Sequence, residues 1–100
     1  MYLQRLYIGM NDKDKHEQIL SREDFIMIIK ACLFGYGLEA FTIINSIGIY
    51  KTEQENTLIV ELMKEDRNDL ISIELIKLLK ELLNQECIMQ TIQEIETSFI

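Results

Sequence analysis

Apolar and polar residues alternate along residues 2–9, and this period of two predicts a first strand. Both faces of the strand carry apolar side chains, as a central strand requires. The two sets are Leu3, Arg5 and Tyr7 on one face and Gln4, Leu6 and Ile8 on the other. Residues 11–18 are dense in charge and lack periodicity, which predicts a solvated surface loop.

A first helix is predicted over residues 22–34. Ser21 and Asp24 have the spacing of a capping box in which Asp replaces Glu, so the serine oxygen can accept a backbone amide hydrogen bond. Apolar residues then recur at helical spacing, at Phe25, Ile28, Ile29, Cys32 and Leu33. Gly35 and Gly37 predict the end of the helix, because glycine adopts a left-handed conformation there without steric penalty.

Two β-branched runs, residues 41–50 and 56–63, predict an antiparallel hairpin joined by the polar loop 51–55. Gly48 lies inside the first run, which indicates either a bulge or a close approach by another backbone or a ligand. Residues 67–83 predict a second helix with a wide apolar face. Alternation from Cys87 to Glu94 predicts a final strand.

Two successive strand–helix–strand units predict an α+β, ferredoxin-like βαββαβ fold. Its four-stranded antiparallel sheet has the order 4-1-3-2, with both helices on one face. A length of 100 residues suits a single domain, 1–100. Because the opposite sheet face keeps apolar side chains uncovered, we predict a homodimer or a higher homo-oligomer.

The charge of the chain narrows the choice of partners. Ten Lys and Arg residues against 17 Asp and Glu residues give a formal charge of -7, which disfavours direct binding of nucleic-acid phosphates. Basic residues of the 11–18 loop are interleaved with acidic ones, which favours a solvated loop over a basic patch. The acidic balance suits contact with a basic protein surface, and solubility explains it equally well.

Cys32 and Cys87 lack the spacing of a redox or zinc motif. Their apolar surroundings in the sequence predict two buried thiols in a reducing compartment rather than a disulfide. The sequence shows neither a secretion signal nor an apolar run long enough to span a membrane. We therefore expect a cytoplasmic protein without membrane contact.

No catalytic or metal-binding constellation is evident. His16 is the only histidine and is far in sequence from both cysteines. The acidic residues around it lack the glycine and final glutamate of a calcium loop, and phosphate-loop and dinucleotide motifs are absent. We expect no metal and no cofactor. An enzyme would have Tyr7, His16 and Glu61 as its acid–base candidates.

Polar residues interrupt several of the predicted strands. Arg5 and Glu61 lie on strands predicted to be neighbours, and a charge in such a position needs a partner if it is buried. The two side chains either form a salt bridge, converge on a ligand, or face solvent. The sequence leaves these three interpretations open.

Three short motifs stand out: L-Y-I-G-M-N-D at residues 6–12, T-I-I-N-S-I-G-I-Y at 42–50, and N-Q-E at 84–86. They resemble a group of small phage-encoded proteins of unknown function, with L-Y-x-G-L-N-D, T-I-x-x-A-x-G-x-Y and N-Q-E-S motifs. The chain departs from each of the three motifs at one position, including Met10 in the first and Cys87 in the last; the second motif lacks its alanine here. The resemblance implies a phage or prophage setting and a shared surface of Tyr7, Gly9, Asn11, Gly48, Tyr50, Glu61, Gln85 and Glu86. With Arg5 as the partner of Glu61, we predict this surface to bind a ligand.

Taken together, these features predict a non-enzymatic, oligomeric binding protein that antagonises host defence in the host-cell cytoplasm. It would sequester a nucleotide-like immune signal or block a basic defence protein. Tyrosines that can stack on a base and backbone amides near Gly9 support the first role. The alternatives are a small dimeric enzyme, either a cyclic-nucleotide nuclease or oxygenase-like, and a purely structural or regulatory assembly domain.

Overall fold

The computed structural model describes residues 1–100. Four strands, β1 (Tyr2–Gly9), β2 (Thr42–Tyr50), β3 (Glu53–Lys64) and β4 (Met89–Glu94), form one antiparallel sheet in the order β2-β3-β1-β4. Helix α1 (Arg22–Gly35) follows β1, and helix α2 (Ile73–Leu82) precedes β4. The order is the predicted 4-1-3-2 read from the other edge. An α+β fold with a four-stranded antiparallel sheet and two helices is therefore confirmed.

Both helices pack against the same face of the sheet, around one core of 15 buried apolar residues. In β1, Leu6 and Ile8 are fully buried and pair with Val60 and Leu58 of β3. Burial of an aliphatic side chain of this size contributes about 1.5–3 kcal/mol relative to exposure. The period of two thus divides β1 into two sets of side chains, and the structure shows that the set with Leu6 and Ile8 meets the helices.

Helix α1 begins and ends as its sequence predicts. The Ser21 Oγ accepts a hydrogen bond from the Asp24 amide at 3.1 Å. At the other end, Gly37 has a φ of 88°, and the Leu38 amide donates to the Leu33 carbonyl at 3.1 Å. These contacts form a Schellman motif, in which a left-handed residue ends the helix. Neither helix has the length and apolar content that crossing a bilayer would need.

The second helix is shorter than predicted. Residues 67–69 form a 3₁₀ turn, and the α-helix begins only at Ile73, after the N-cap Ser72. Between the two, Gln4 binds the backbone of Ile71. The Ile71 amide donates to Gln4 Oε1 at 2.8 Å, and Gln4 Nε2 donates to the Ile71 carbonyl at 3.0 Å. This contact takes up backbone groups that a continuous helix would need for itself.

The predicted loop 51–55 is mostly strand, because β3 begins at Glu53 and only Lys51 and Thr52 form the turn. Lys51 has a φ of 57°, as a tight turn requires. The last strand begins two residues later than predicted, and Cys87 lies before it. Both thiols are free, Cys32 is buried and Cys87 is exposed. The prediction of two buried thiols is therefore wrong for Cys87.

Candidate functional site

The open face of the sheet is the side opposite the helices. Strand register places on it the odd-numbered residues of β1, β3 and β4 and the even-numbered residues of β2. Its central residues are Arg5 and Tyr7 of β1, Glu61 and Ile59 of β3, and Thr91 and Met89 of β4. The face is therefore mixed in character rather than uniformly apolar. The homo-oligomer that was predicted to cover it stays a prediction.

A cleft of about 550 Å³ lies at one end of the open face, where β1 ends and the β2–β3 hairpin, the β1–α1 loop and the α2–β4 turn meet. Its volume falls within the range of roughly 300–1,000 Å³ that is usual for small-molecule sites. The lining residues are Tyr7, Gly9, Asn11, Asp12, Lys13, His16, Gly48, Glu53, Glu55, Thr57, Gln85, Glu86, Cys87 and Met89.

The Glu55 carboxylate lies directly over Gly9. Its Oε2 accepts a hydrogen bond from the Asn11 amide at 2.8 Å. A Cβ atom at Gly9 would lie 2.6 Å from the same oxygen, far inside van der Waals contact. The absence of a side chain at Gly9 is therefore what lets the carboxylate sit at the sheet surface.

Gly48 also allows a close approach. The β2–β3 register runs through it without interruption, so no bulge is present. A Cβ atom at Gly48 would lie 3.0 Å from Thr57 Oγ1. Of the two interpretations of this glycine, the close approach is the one that the structure shows, and the group that approaches is a side chain.

Two consecutive residues of the α2–β4 turn hold the β1–α1 loop against the rest of the molecule. Asn84 Nδ2 donates to Asp12 Oδ1 at 2.6 Å and to Asp14 Oδ2 at 3.0 Å. Gln85 is buried, and its Nε2 donates to the Asn11 carbonyl at 3.0 Å. The charged loop is therefore tied to the turn at its N-terminal end, although most of its side chains are exposed as predicted.

Asp12 remains ionised in this arrangement. The hydrogen bond from Asn84 is the main cause that lowers the pKa of its carboxyl group below the usual value, and backbone amides of Lys15 and Asp14 act in the same direction. Asp12, Glu53, Glu55 and Glu86 place four carboxylates around the cleft, against one lysine, Lys13. The cleft is therefore acidic, so it attracts cations and repels anions.

Six of the nine predicted ligand-binding residues line the cleft: Tyr7, Gly9, Asn11, Gly48, Gln85 and Glu86. Arg5 and Glu61 lie on the open face beyond the cleft and form an ion pair, with Arg5 Nε 2.8 Å from Glu61 Oε2. Tyr50 is 75% exposed at the hairpin end, and the Lys51 ammonium lies 5.5 Å from its ring centroid. A ligand-binding role for these nine residues stays a prediction.

The acid–base candidates are partly brought together. Tyr7 and His16 both line the cleft, whereas Glu61 does not. No group of three or more His, Cys, Asp or Glu side chains is arranged to hold a metal ion. Besides its carboxylates, the cleft has four titratable groups: the Tyr7 phenol, the His16 imidazole, the Cys87 thiol and the Lys13 amine.

Sequence reasoning missed Glu55 as a cleft residue. The predicted five-residue loop included it, whereas the two-residue turn places it in β3, directly opposite Gly48. The available signal was the glycine inside a strand, which implies that something approaches it closely. Recognising the partner required the register of the hairpin, and that depends on the turn length.

No family model matches the chain, and no curated protein matches it. Among solved structures, the chain is similar to a phage SAM lyase in complex with S-methyl-5′-thioadenosine. The TM-score is 0.66 at 22% identity, over 93% of this chain and 80% of that chain. The phage SAM lyase in its apo state gives a TM-score of 0.67 at 22% identity, over 92% of this chain and 78% of that chain. At this level of identity, the likeness shows a shared fold.

Both neighbours are structures of an enzyme. This comparison contradicts the predicted non-enzymatic binding protein, which is withdrawn, and agrees better with the alternative of a small enzyme. The prediction failed because it rested on the absence of a catalytic motif. Here the cleft is assembled from three separate stretches of the chain, 7–16, 48–57 and 85–89, so no continuous motif marks it.

Proposed function

We propose that the chain is an enzyme that cleaves S-adenosylmethionine and releases S-methyl-5′-thioadenosine. The observation that carries the proposal is the acidic cleft, on a fold shared with a phage SAM lyase that binds S-methyl-5′-thioadenosine. S-adenosylmethionine has a sulfonium and an ammonium group, and its net charge is positive at neutral pH. A cleft with four carboxylates and one lysine attracts such a molecule.

The same charges argue against a phosphate-bearing substrate. Anion sites in proteins combine cationic side chains with free backbone amides. Here the amide of Asn11 is already bound to the Glu55 carboxylate. The cyclic-nucleotide nuclease is therefore disfavoured among the possible enzymes, and a nucleoside without phosphate fits the cleft better.

The cleft also offers an apolar surface for a nucleobase. Tyr7 and Met89 are direct partners in the β1–β4 ladder and both line the cleft. An aromatic ring and a thioether side by side form a polarisable surface on which a flat purine can stack. The carboxylates around this surface would then face the sulfonium end of the molecule.

The chemistry of such a cleavage needs little from the protein. When the bond between sulfur and the four-carbon chain breaks, both electrons go to sulfur, which becomes a neutral thioether. In the same step, the carbon that loses sulfur gains an electron pair by one of two routes. Either the carboxylate of the same chain attacks it and closes a lactone ring, or a neighbouring C–H bond loses its proton and its electrons form a C=C bond. Sulfur leaves without being protonated. Tyr7 and His16 are the cleft groups that could accept a proton on the second route.

The carboxylates distinguish substrate from product. They interact with the positive charge on sulfur, and that charge disappears during the reaction. Such an interaction makes the affinity for the substrate higher than the affinity for the product. It does not by itself stabilise the transition state. We therefore assign Glu55 a role in substrate binding rather than in the bond-breaking step.

The direct test is to incubate the purified chain with S-adenosylmethionine and to follow S-methyl-5′-thioadenosine by liquid chromatography and mass spectrometry. We expect formation in proportion to protein concentration, above a protein-free blank that corrects for spontaneous breakdown. A folded protein, verified by circular dichroism, that leaves the substrate at the blank level would overturn the proposal.

A phage setting, which the sequence motifs imply, agrees with the phage source of both neighbours.

Replacing Gly9 by alanine is expected to raise the KM for S-adenosylmethionine by about tenfold, because the new Cβ atom displaces the Glu55 carboxylate. The displaced group is the end of a flexible side chain, so the melting temperature should change by less than about 3 °C. Steady-state kinetics and thermal melting measure the two effects.

Gly35→Ala is the matched control for this substitution. An added Cβ at Gly35 meets no atom within 4 Å, and this glycine has no positive φ. Its KM should equal that of the wild type. A Gly9→Ala protein with wild-type KM would show that the position of the Glu55 carboxylate is unimportant for binding.

A further inference from the structure

The β1–α1 loop supplies Asn11, Asp12, Lys13 and His16 to the cleft. It is the longest connection in the chain outside the helices and strands, and its side chains from Lys13 to Gln18 are exposed. A loop of this kind loses conformational entropy when it closes on a ligand, unless the folded protein already holds it. The contacts that hold it are therefore relevant to binding.

Asn84 makes three hydrogen bonds to this loop. Its Nδ2 donates to Asp12 at 2.6 Å and to Asp14 at 3.0 Å. Its own carbonyl accepts from the Lys13 amide at 3.0 Å. Asn84 does not itself line the cleft. Asn84 contacts the loop from outside the cleft, so any effect on a ligand must act through the loop residues to which it is hydrogen-bonded.

The backbone of Asn84 indicates that its side chain has a use. Its φ is 49°, in the left-handed region. The Asn84 amide donates to the Glu81 carbonyl and the Gln85 amide to the Lys80 carbonyl, which places Asn84 at the position after a helix where glycine is most common. An asparagine there tolerates the conformation and adds an amide group, which glycine would lack.

The side-chain amide of Asn84 is uncharged, which affects the charge of the cleft. Asn84 satisfies the Asp12 carboxylate without neutralising it, so the negative charge beside the cleft is retained. A lysine in the same place would hold the loop but cancel that charge. The geometry thus combines a fixed loop with an acidic cleft.

We propose that Asn84 is a positioning residue that pre-orders the β1–α1 loop as a wall of the cleft, and so increases the affinity for the cationic nucleoside. This inference rests on the proposed function. Asn84 acts through Asp12 and the backbone of Lys13 and takes no part in bond breaking.

The test uses Asn84→Gly, which retains the left-handed backbone and removes only the side-chain amide. We expect the KM for S-adenosylmethionine to rise about tenfold while kcat stays within about twofold, since the loop must then be ordered on binding. Limited trypsin digestion should cleave after Lys13 and Lys15 about tenfold faster than in the wild type. Asn68→Ala, which removes an exposed amide from the turn before α2, should match the wild type in all three measurements.

Exchanging the amide and the carboxylate between positions 84 and 12 provides a specific rescue. Asn84→Asp places a carboxylate against Asp12 and Asp14, so trypsin should cleave this loop faster than in Asn84→Gly. Adding Asp12→Asn to that variant restores one donor and one acceptor, and should return the cleavage rate to within about threefold of the wild type. A general loss of stability would not be reversed by this second change.

The outcomes separate the inference from the proposed function. A wild-type protein that cleaves S-adenosylmethionine, with an Asn84→Gly variant of unchanged KM, would overturn the positioning role and leave the activity intact. A wild-type protein that does not cleave it would overturn the function, and the trypsin comparison would still decide whether Asn84 holds the loop. Faster trypsin cleavage in Asn84→Gly than in the wild type and in Asn68→Ala, together with a raised KM, supports both the inference and the proposed function.

Discussion

Replacing Glu55 by glutamine is expected to raise the KM for S-adenosylmethionine roughly 10- to 100-fold and to change kcat by less than about threefold. The affinity for S-methyl-5′-thioadenosine should stay within about twofold, because this molecule has no charge on sulfur. The difference follows from the proposed function, in which the Glu55 carboxylate of the acidic cleft interacts with a charge that only the substrate has. Steady-state kinetics and calorimetric binding of the product measure the two quantities.

Glutamine is suited to this test because it retains the shape of the side chain. Its amide oxygen can still accept the hydrogen bond from the Asn11 amide, which Glu55 Oε2 now accepts at 2.8 Å. Glu74→Gln, at an exposed position on α2 outside the cleft, changes the net charge by the same amount and serves as the control. Equal weakening of substrate and product in Glu55→Gln would contradict recognition of the sulfonium and indicate a structural role.

Replacing Gln4 by leucine is expected to lower the free energy of unfolding by about 2–6 kcal/mol. Gln4 is fully buried, and its side chain satisfies both the amide and the carbonyl of Ile71 and donates to Gln90 Oε1 at 2.9 Å. Leucine has a similar volume and no polar atoms, so both backbone groups of Ile71 would remain buried without partners. Each such group is unfavourable by about 1–3 kcal/mol.

Urea denaturation followed by circular dichroism measures this change. A loss of this size is a large share of the roughly 5–15 kcal/mol that stabilises a typical domain. Gln93→Leu is the control, because Gln93 is exposed on β4 and makes no such contact; it should change stability by less than about 0.5 kcal/mol. A Gln4→Leu protein as stable as this control would mean that Gln4 does not secure the segment before α2.

The elements with strong local signals were predicted well. The limits of β1 follow from its alternation, and the start of α1 follows from the Ser21 cap. Local signals suffice in these cases because the groups that determine the boundary are within a few residues of it. The start of α2 was predicted six residues too early, since the group that interrupts the helix is Gln4, 67 residues away in sequence.

The candidate site shows the same division. Short motifs pointed to Tyr7, Gly9, Gly48 and the Gln85 step, and the structure places these residues around one cleft. Glu55 was not predicted as a site residue, because the hairpin register is what places it opposite Gly48 and over Gly9. For Arg5 and Glu61 the sequence left a salt bridge, a shared ligand and exposure to solvent open; the structure shows the salt bridge, and it lies outside the cleft.

By itself, the sequence determined the order of strands and helices and the acidic character of the molecule, because periodicity, caps and charge are properties of short segments. Only the tertiary structure decided that the carboxylates gather at one end of the open face and that Asn84 holds the loop beside them. These features depend on contacts between residues far apart in the chain. Hairpin register and helix packing bring such residues together, and no local pattern encodes the resulting distances.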